Sequence, residues 1–218
     1  LPGRTSRMLF LDGRRVGTAY RELLDEGYRR TGAFIYRPMC PGCRACETLR
    51  VPLDTFRRSK SQRRIWNKGC GFFDVQVQQP SVTPEKVELY RRYLIEKHQT
   101  HNRTITEQEY AFVFAMSCLG EHTQDVPLRV NGRLVGLGIV DCMDDAMSSV
   151  YFYYDMNYSR FSPGTFSILA EIHLAQAWNL RYYYLGHYIA QCDSMNYKAN
   201  FRPCEIRIPG EEHWRLLS

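Results

Sequence analysis

The chain has 218 residues, 44% hydrophobic and 24% charged, proportions that suit one good-sized core or two small ones. Its longest apolar runs, "AFVFAM" and "LVGLGIV", fall far short of the roughly 20 residues of a membrane helix, and "LPGRTSRMLF" lacks a signal-peptide pattern. The net charge of +6 is uneven: residues 1–70 carry 16 Lys/Arg against 6 Asp/Glu and the rest 13 against 17, so the N-terminal third suits a polyanionic or acidic partner, a solvated basic surface being the alternative.

In chain order, "RRVGTAYRELLDEGYRR" (14–30) has helical spacing and predicts a helix over most of its length, ending at Gly32. "AFIYR" (33–37) and "ETLRVPL" (47–53) read as short strands flanking the turn "PMCPGCRACE". "RSKSQRRIWNKG" (58–69) is a basic helix with Ser59 as N-cap and Gly69 as stop. "FFDVQVQ" (72–78) alternates as a half-buried strand does.

After "PSVTP" a second unit opens with a helix from Pro84 to about Thr100 and another over 106–118. "VPLRVNGRLVGLGIVDCM" predicts a hairpin turning at Asn131-Gly132. A strand (148–155), an amphipathic helix (162–180), a strand (182–186), a helical piece near Tyr197–Phe201 and a strand (204–208) complete the unit. The order α-α-β-β-β-α-β-α-β resembles the GNAT acyltransferase fold, an α/β (α+β) class with a gap in the sheet for the donor. The expected organisation is a basic N-terminal domain (1–79) with the cysteine turn, sharing the core of a GNAT-like transferase domain (80–218). The loop "YSRFSPGTF" has one glycine and a proline where a CoA pyrophosphate cradle wants several amide donors, so CoA is a poor fit.

Eight cysteines scattered in a chain this long do not form a disulfide scaffold; they predict free thiols and a reducing compartment. Cys40, Cys43 and Cys46 sit at C-x2-C-x2-C. Three thiols are one short of a zinc or iron–sulfur set; a fourth ligand is expected at Cys70 or upstream of Leu1 if a metal or cluster binds. The other reading is a rigid turn that holds Arg37, Arg44 and Arg50. Arg57, Arg58, Lys60, Arg63 and Arg64, spaced by Ser59, Ser61 and Gln62, suit phosphate contacts, with Phe56 and Trp66 as anchors or base-stacking rings. Asp155 and His187 close strands at the end where this topology places reacting groups.

The string "YLGHYIAQCDSMNYKANFRP" (184–203), with "YRPMCPGCRACETLRVPLDTFRRSKSQRR" and "LPGRT", resembles the bacterial aspartate/glutamate leucyltransferases, relatives of the arginyl-tRNA–protein transferases, over nearly the whole chain. The resemblance implies a cytoplasmic aminoacyltransferase of the N-degron pathway. It would move leucine from leucyl-tRNA to the α-amine of proteins beginning with Asp or Glu, marking them for proteolysis. The same mechanism with arginyl-tRNA, a CoA-dependent N-acetyltransferase and a non-catalytic tRNA-binding module are the alternatives.

The donor ester is already activated, so no cofactor is required. Lys198 is expected at the tRNA terminus or oxyanion, with Tyr188 and Tyr197 as supporting donors and Asp155 as the group that orients or deprotonates the amine. The released 3′-hydroxyl shuttling the proton is the alternative to a protein base. Arg37 and Arg44 are expected to hold the acidic acceptor, and Arg58, Lys60, Arg63 and Arg64 the tRNA phosphates.

Overall fold

The computed structural model describes residues 5–9, 18–99 and 105–217. β1 (Ser6–Leu9), α1 (Thr18–Asp25), β2 (Arg29–Thr31) and β3 (Phe34–Pro38) come first, and the strands form a small antiparallel sheet in the order β1-β3-β2. β4 (Glu47–Pro52), α2 (Lys60–Cys70), β5 (Asp74–Val75), α3 (Pro84–His98) and the single turn α4 (Glu107–Tyr110) follow. Then come β6 (Thr123–Val130), β7 (Arg133–Cys142), β8 (Ala146–Tyr154), α5 (Pro163–Ala177), β9 (Tyr182–Tyr188), α6 (Asp193–Asn196), β10 (Glu205–Arg207) and β11 (Arg215–Leu216).

The large sheet has the order β11-β10-β4-β9-β8-β7-β6-β5. β8 and β9 are parallel; the other neighbours in this sheet are antiparallel. From α3 to β10 the succession α-α-β-β-β-α-β-α-β is the expected one, β11 being an addition, and the architecture is GNAT-like. β4, which belongs to the basic third, pairs with β9 on one side and β10 on the other, so both parts of the chain build one sheet.

On one face, α5 and α2 bury Ile168, Leu169 and Ile172 against Leu49, Val51, Val126, Val140, Met147 and Tyr183, and Phe166 against Phe73, Leu128 and Val135. Gly69 of α2 lies so near α5 that an added Cβ would be 2.1 Å from the Phe166 ring. That glycine therefore permits helix contact, whereas the sequence reading had it as the stop; α2 runs on to Cys70, with Gly71 as C-cap. Its start is as expected, with Ser59 in a capping box with Gln62. On the other face α3 and α4 cover Leu134, Leu137, Ile139 and Tyr153, while α1 and the small sheet cover Tyr184 and Ala146.

Three elements differ from expectation. The described part of the first helix ends at Asp25, because Gly27 takes φ +83° and turns the chain so that Arg29 and Arg30 enter a strand and become buried. Residues 72–78 form only a two-residue strand plus one bridge from Gln78 to Asp125, since Phe72 and Phe73 fold into an aromatic cluster with Phe161 and Phe166. The 106–118 helix is one capped turn followed by a wide π turn over Ala111–Ala115. Asn131 and Gly132 both have positive φ, as a two-residue hairpin needs.

Candidate active site

β8 and β9 pair over only three positions, from Ala146 opposite Tyr182 to Ser148 opposite Tyr184, although both strands continue beyond them. β8 follows β7 and β9 follows β4, and the two diverge. In the β7–β8 register, Ile139 faces Tyr151 and Val140 faces Ser149, which leaves Val150 as a bulge. A bulged residue is left out of the ladder, so its backbone is free to point elsewhere.

The divergence encloses a cavity of about 150 Å³. Ser148, Ser149 and Val150 form one wall and Leu185, Gly186 and His187 the other. Tyr20, Arg29, Arg30 and Tyr36 from α1, β2 and β3 close one side, and Met195 and Lys198 approach from the segment after β9. A larger concavity of about 930 Å³ is lined by residues including Asp54, Arg57, Gln176, Arg181 and Glu205. Its charges balance, and it lies against the opposite ends of β4 and β9 from the splay.

The splay cavity is cationic. Arg29 is 6% exposed; its Nη1 donates to the carbonyls of Tyr28 and Leu24, but its buried Nε and Nη2 have no hydrogen-bond partner among the described residues. Arg30 Nε binds Asp141 at 2.9 Å, leaving its Nη2 buried and without a partner among the described residues. Unpaired buried donors cost stability unless a ligand takes them up. Lys198 Nζ donates to the His187 carbonyl at 2.6 Å, and burial together with Arg29 lowers its pKa to about 8. The His187 pKa falls to about 3, through burial first and Arg29 second, so the ring is neutral. Its Nε2 carries the proton, since it lies 2.9 Å from the Gly27 carbonyl. The ring thus ties the turn between α1 and β2 to β9.

Of the expected catalytic residues, Lys198 lines the cavity and Asp155, Tyr188 and Tyr197 do not. Asp155 caps the turn after β8: it accepts from the Asn157 backbone N–H and from Arg92 and Arg133 at 3.1 and 3.2 Å. Burial would raise its pKa, but these donors outweigh it and hold the carboxyl below its ordinary range. Tyr188 packs in the core with Leu49 and Ile168. Tyr197 is 43% exposed.

Arg37 is half-buried over the Tyr28 ring, donating to the Glu26 carbonyl at 3.0 Å, while Arg44 is exposed. Arg50 is enclosed between Tyr182 and Trp214 and bound to Glu205 at 2.7 Å. Lys60, Arg63 and Arg64 are exposed on α2, with Arg58 stacked over Trp66 at 3.9 Å. Among the described residues Cys40, Cys43 and Cys46 form no disulfide, and no three His, Cys, Asp or Glu side chains group as a metal site.

Sequence reasoning missed Arg29 and Arg30, which it had placed on a helix, and it missed Ser149. The pair "RR" at 29–30 between Gly27 and Gly32 is the only local cue, and burial of both depends on where the turn packs.

Comparison with known proteins agrees with this geometry. The C-terminal domain of a lysylphosphatidylglycerol synthetase from Agrobacterium fabrum superposes with a TM-score of 0.58 at 14% identity, covering 77% of this chain and 61% of that one. FemX does so at 0.52 and 8%, covering 88% and 65%. These neighbours and the splayed sheet define the fold as an α/β one of the GNAT-like class.

Residues 1–64 match the N-terminal and residues 85–208 the C-terminal profile of the arginine-tRNA-protein transferases. Aspartate/glutamate leucyltransferases are 35% identical in Pseudoalteromonas atlantica, over 92% of this chain and 85% of that protein, and 32% in Pseudomonas fluorescens, over 100% and 92%. The chain belongs to the arginine-tRNA-protein transferase family and is an aminoacyltransferase.

Proposed function

We propose that this enzyme moves leucine from leucyl-tRNA to the α-amine of proteins whose first residue is Asp or Glu. The observation that carries the acceptor assignment is Arg29, a buried guanidinium with two unpaired nitrogens on the wall of the splay cavity. Two such nitrogens can take a carboxylate in the bidentate manner. Arg30 Nη2 adds a third unpaired donor, and about 150 Å³ suits a short acidic side chain. In this reading Arg29 and Arg30 take the role first given to Arg37 and Arg44.

The donor is an activated ester, so the enzyme has to bring amine and carbonyl together and stabilise the oxyanion. The backbone amide of the Val150 bulge and the Lys198 ammonium are the donors suited to that oxyanion. Lys60, Arg63 and Arg64, with Arg58 beside them, suit the tRNA backbone. No step of the reaction calls for a metal or nucleotide. Leucyl-tRNA is a cytoplasmic substrate, and the leucine-capped product would be a substrate for proteolysis.

The test is transfer of labelled leucine, and separately of labelled arginine, from charged tRNA to peptides beginning with Asp, Glu, Asn or Gln. Arg29→Gln should raise KM for Asp and Glu peptides and narrow their preference over Asn and Gln by about 10- to 100-fold, as loss of a charged hydrogen-bond pair does. Unchanged preference in a folded Arg29→Gln enzyme would remove Arg29 from the acceptor site. Transfer of arginine in place of leucine would overturn the donor assignment.

A further inference from the structure

Glu171, in the middle of α5, is fully buried, and its carboxylate has no ion-pair partner among the described residues. Tyr183 donates to its Oε2 at 2.5 Å and Ser167 to its Oε1 at 2.7 Å. Ser149 follows Met147 by two residues on β8 and so shares its α5-facing side, where its hydroxyl helps to hold the carboxyl's pKa down, and it lines the splay cavity. The sheet makes room for the group: at Gly138 of β7 an added Cβ would stand 2.8 Å from Glu171 Oε1. A lone buried carboxylate is costly, and a leucine would fill the same space more cheaply. Its placement beside Ser149, a hydroxyl on the cavity wall, calls for a function.

We propose that Ser149 and Glu171 form a proton relay that deprotonates the acceptor's α-amine, Ser149 touching the amine and Glu171 acting through it. The proposal rests on the leucyl-transfer reading above. The acceptor arrives as an ammonium. One of its N–H protons passes to Ser149 Oγ while the Ser149 hydroxyl proton passes to Glu171, leaving a neutral amine and a neutral carboxylic acid.

The amine nitrogen then forms its bond to the ester carbonyl carbon. As the bond from that carbon to the tRNA 3′-oxygen breaks, the second amine proton goes to the departing oxygen. Glu171 returns its proton to solvent once the products leave, so the net yield is an amide, a free 3′-hydroxyl and one proton.

The titratable groups that face Glu171 are Tyr183 of β9, Cys142 of β7 and Tyr197 after α6, all neutral acids at neutral pH. Burial raises the pKa of Glu171 despite the hydroxyl donors, which brings it toward that of the amine it would serve.

The experiment measures leucyl transfer to an Asp-initiated peptide between about pH 6 and 8.5, a range that spans the α-amine pKa. Wild type, Glu171→Gln, Ser149→Ala and the double variant are compared. Loss of a general base should lower kcat near pH 7 by about 100-fold in each single variant. Peptide KM should stay within about twofold, because binding does not use the relay. The deficit should shrink as pH rises through about 8, where solvent deprotonates the amine.

The double variant should be no slower than the slower single one, since the two groups act as a unit. A folded single variant with wild-type kcat, or with a reduced kcat but an unaltered pH profile, overturns the relay. If Glu171→Gln does not fold, Ser149→Ala decides alone, as it leaves the carboxylate and its donors Tyr183 and Ser167 in place. An inactive wild type would overturn the leucyl-transfer reading itself, whereas an active wild type with unaffected variants overturns the relay only.

Discussion

Two titratable residues at strand ends show how environment decides what a side chain does. Asp155 stands where an acyltransferase of this topology could use a base, yet Arg92, Arg133 and Asn157 occupy its oxygens. A carboxyl whose folded pKa is depressed stabilises the fold above its unfolded value and loses that contribution as pH falls through the folded one. Asp155→Asn should therefore lower stability at neutral pH by about 2 kcal/mol and leave kcat within about twofold. Urea unfolding beside a transfer assay checks both, and a large loss of kcat in folded protein would return Asp155 to the chemistry.

His187 works in the opposite sense of charge but the same direction of pH. It must be neutral in the fold, where its pKa is about 3, but it takes a proton near 6.5 when unfolded. Its contribution is complete above about pH 6.5 and is lost as pH falls toward 3. Between pH 6.5 and 5 it should cost the protein on the order of 1 kcal/mol per pH unit. His187→Gln, which keeps an N–H for the Gly27 carbonyl, should flatten that slope in chemical unfolding.

At the level of elements, α2 presents two different faces to two different tasks. Gly69 and Ile65 face α5 and the core, while Lys60, Arg63, Arg64 and Lys68 are exposed. Lys68 donates to the Arg160 carbonyl, so the outer cations Arg63 and Arg64 carry the fewest structural duties. Arg63→Glu with Arg64→Glu should leave thermal stability within about 0.5 kcal/mol and weaken tRNA binding. It should also reduce the slope of log affinity against log salt by about 1 to 2, the share of two phosphate contacts. A salt titration by filter binding or fluorescence reads this; an unchanged slope would remove α2 from the tRNA interface.

For the molecule as a whole, the central place of β4 decides what can be separated. Residues 80–218 alone would expose the edge of β9 and the short edge of β10, which β4 otherwise joins on its two sides. Fragments 1–79 and 80–218 made apart should be insoluble or unfolded, and co-expression should restore a complex with measurable transfer. Circular dichroism and gel filtration of the C-terminal fragment test this, a folded monomer being the contrary result. The same sharing brings Arg29 and Arg30 from the basic third to a cavity walled by β8 and β9.

Periodicity, caps and turn residues in the sequence were enough to determine α2, α3, α5 and the β6–β7 hairpin, because those signals act over a few residues. The element order was enough for the architecture, and the 184–203 string for the family. The end of the first helix at Asp25, the burial of Arg29, the capture of Asp155 by two arginines and the meeting of Glu171 with Ser149 were decided only by tertiary structure. Each depends on which distant side chain lies across the sheet or beyond the turn. Local propensity carries no information about that neighbour, and for a charged group the neighbour sets both its cost and its chemistry.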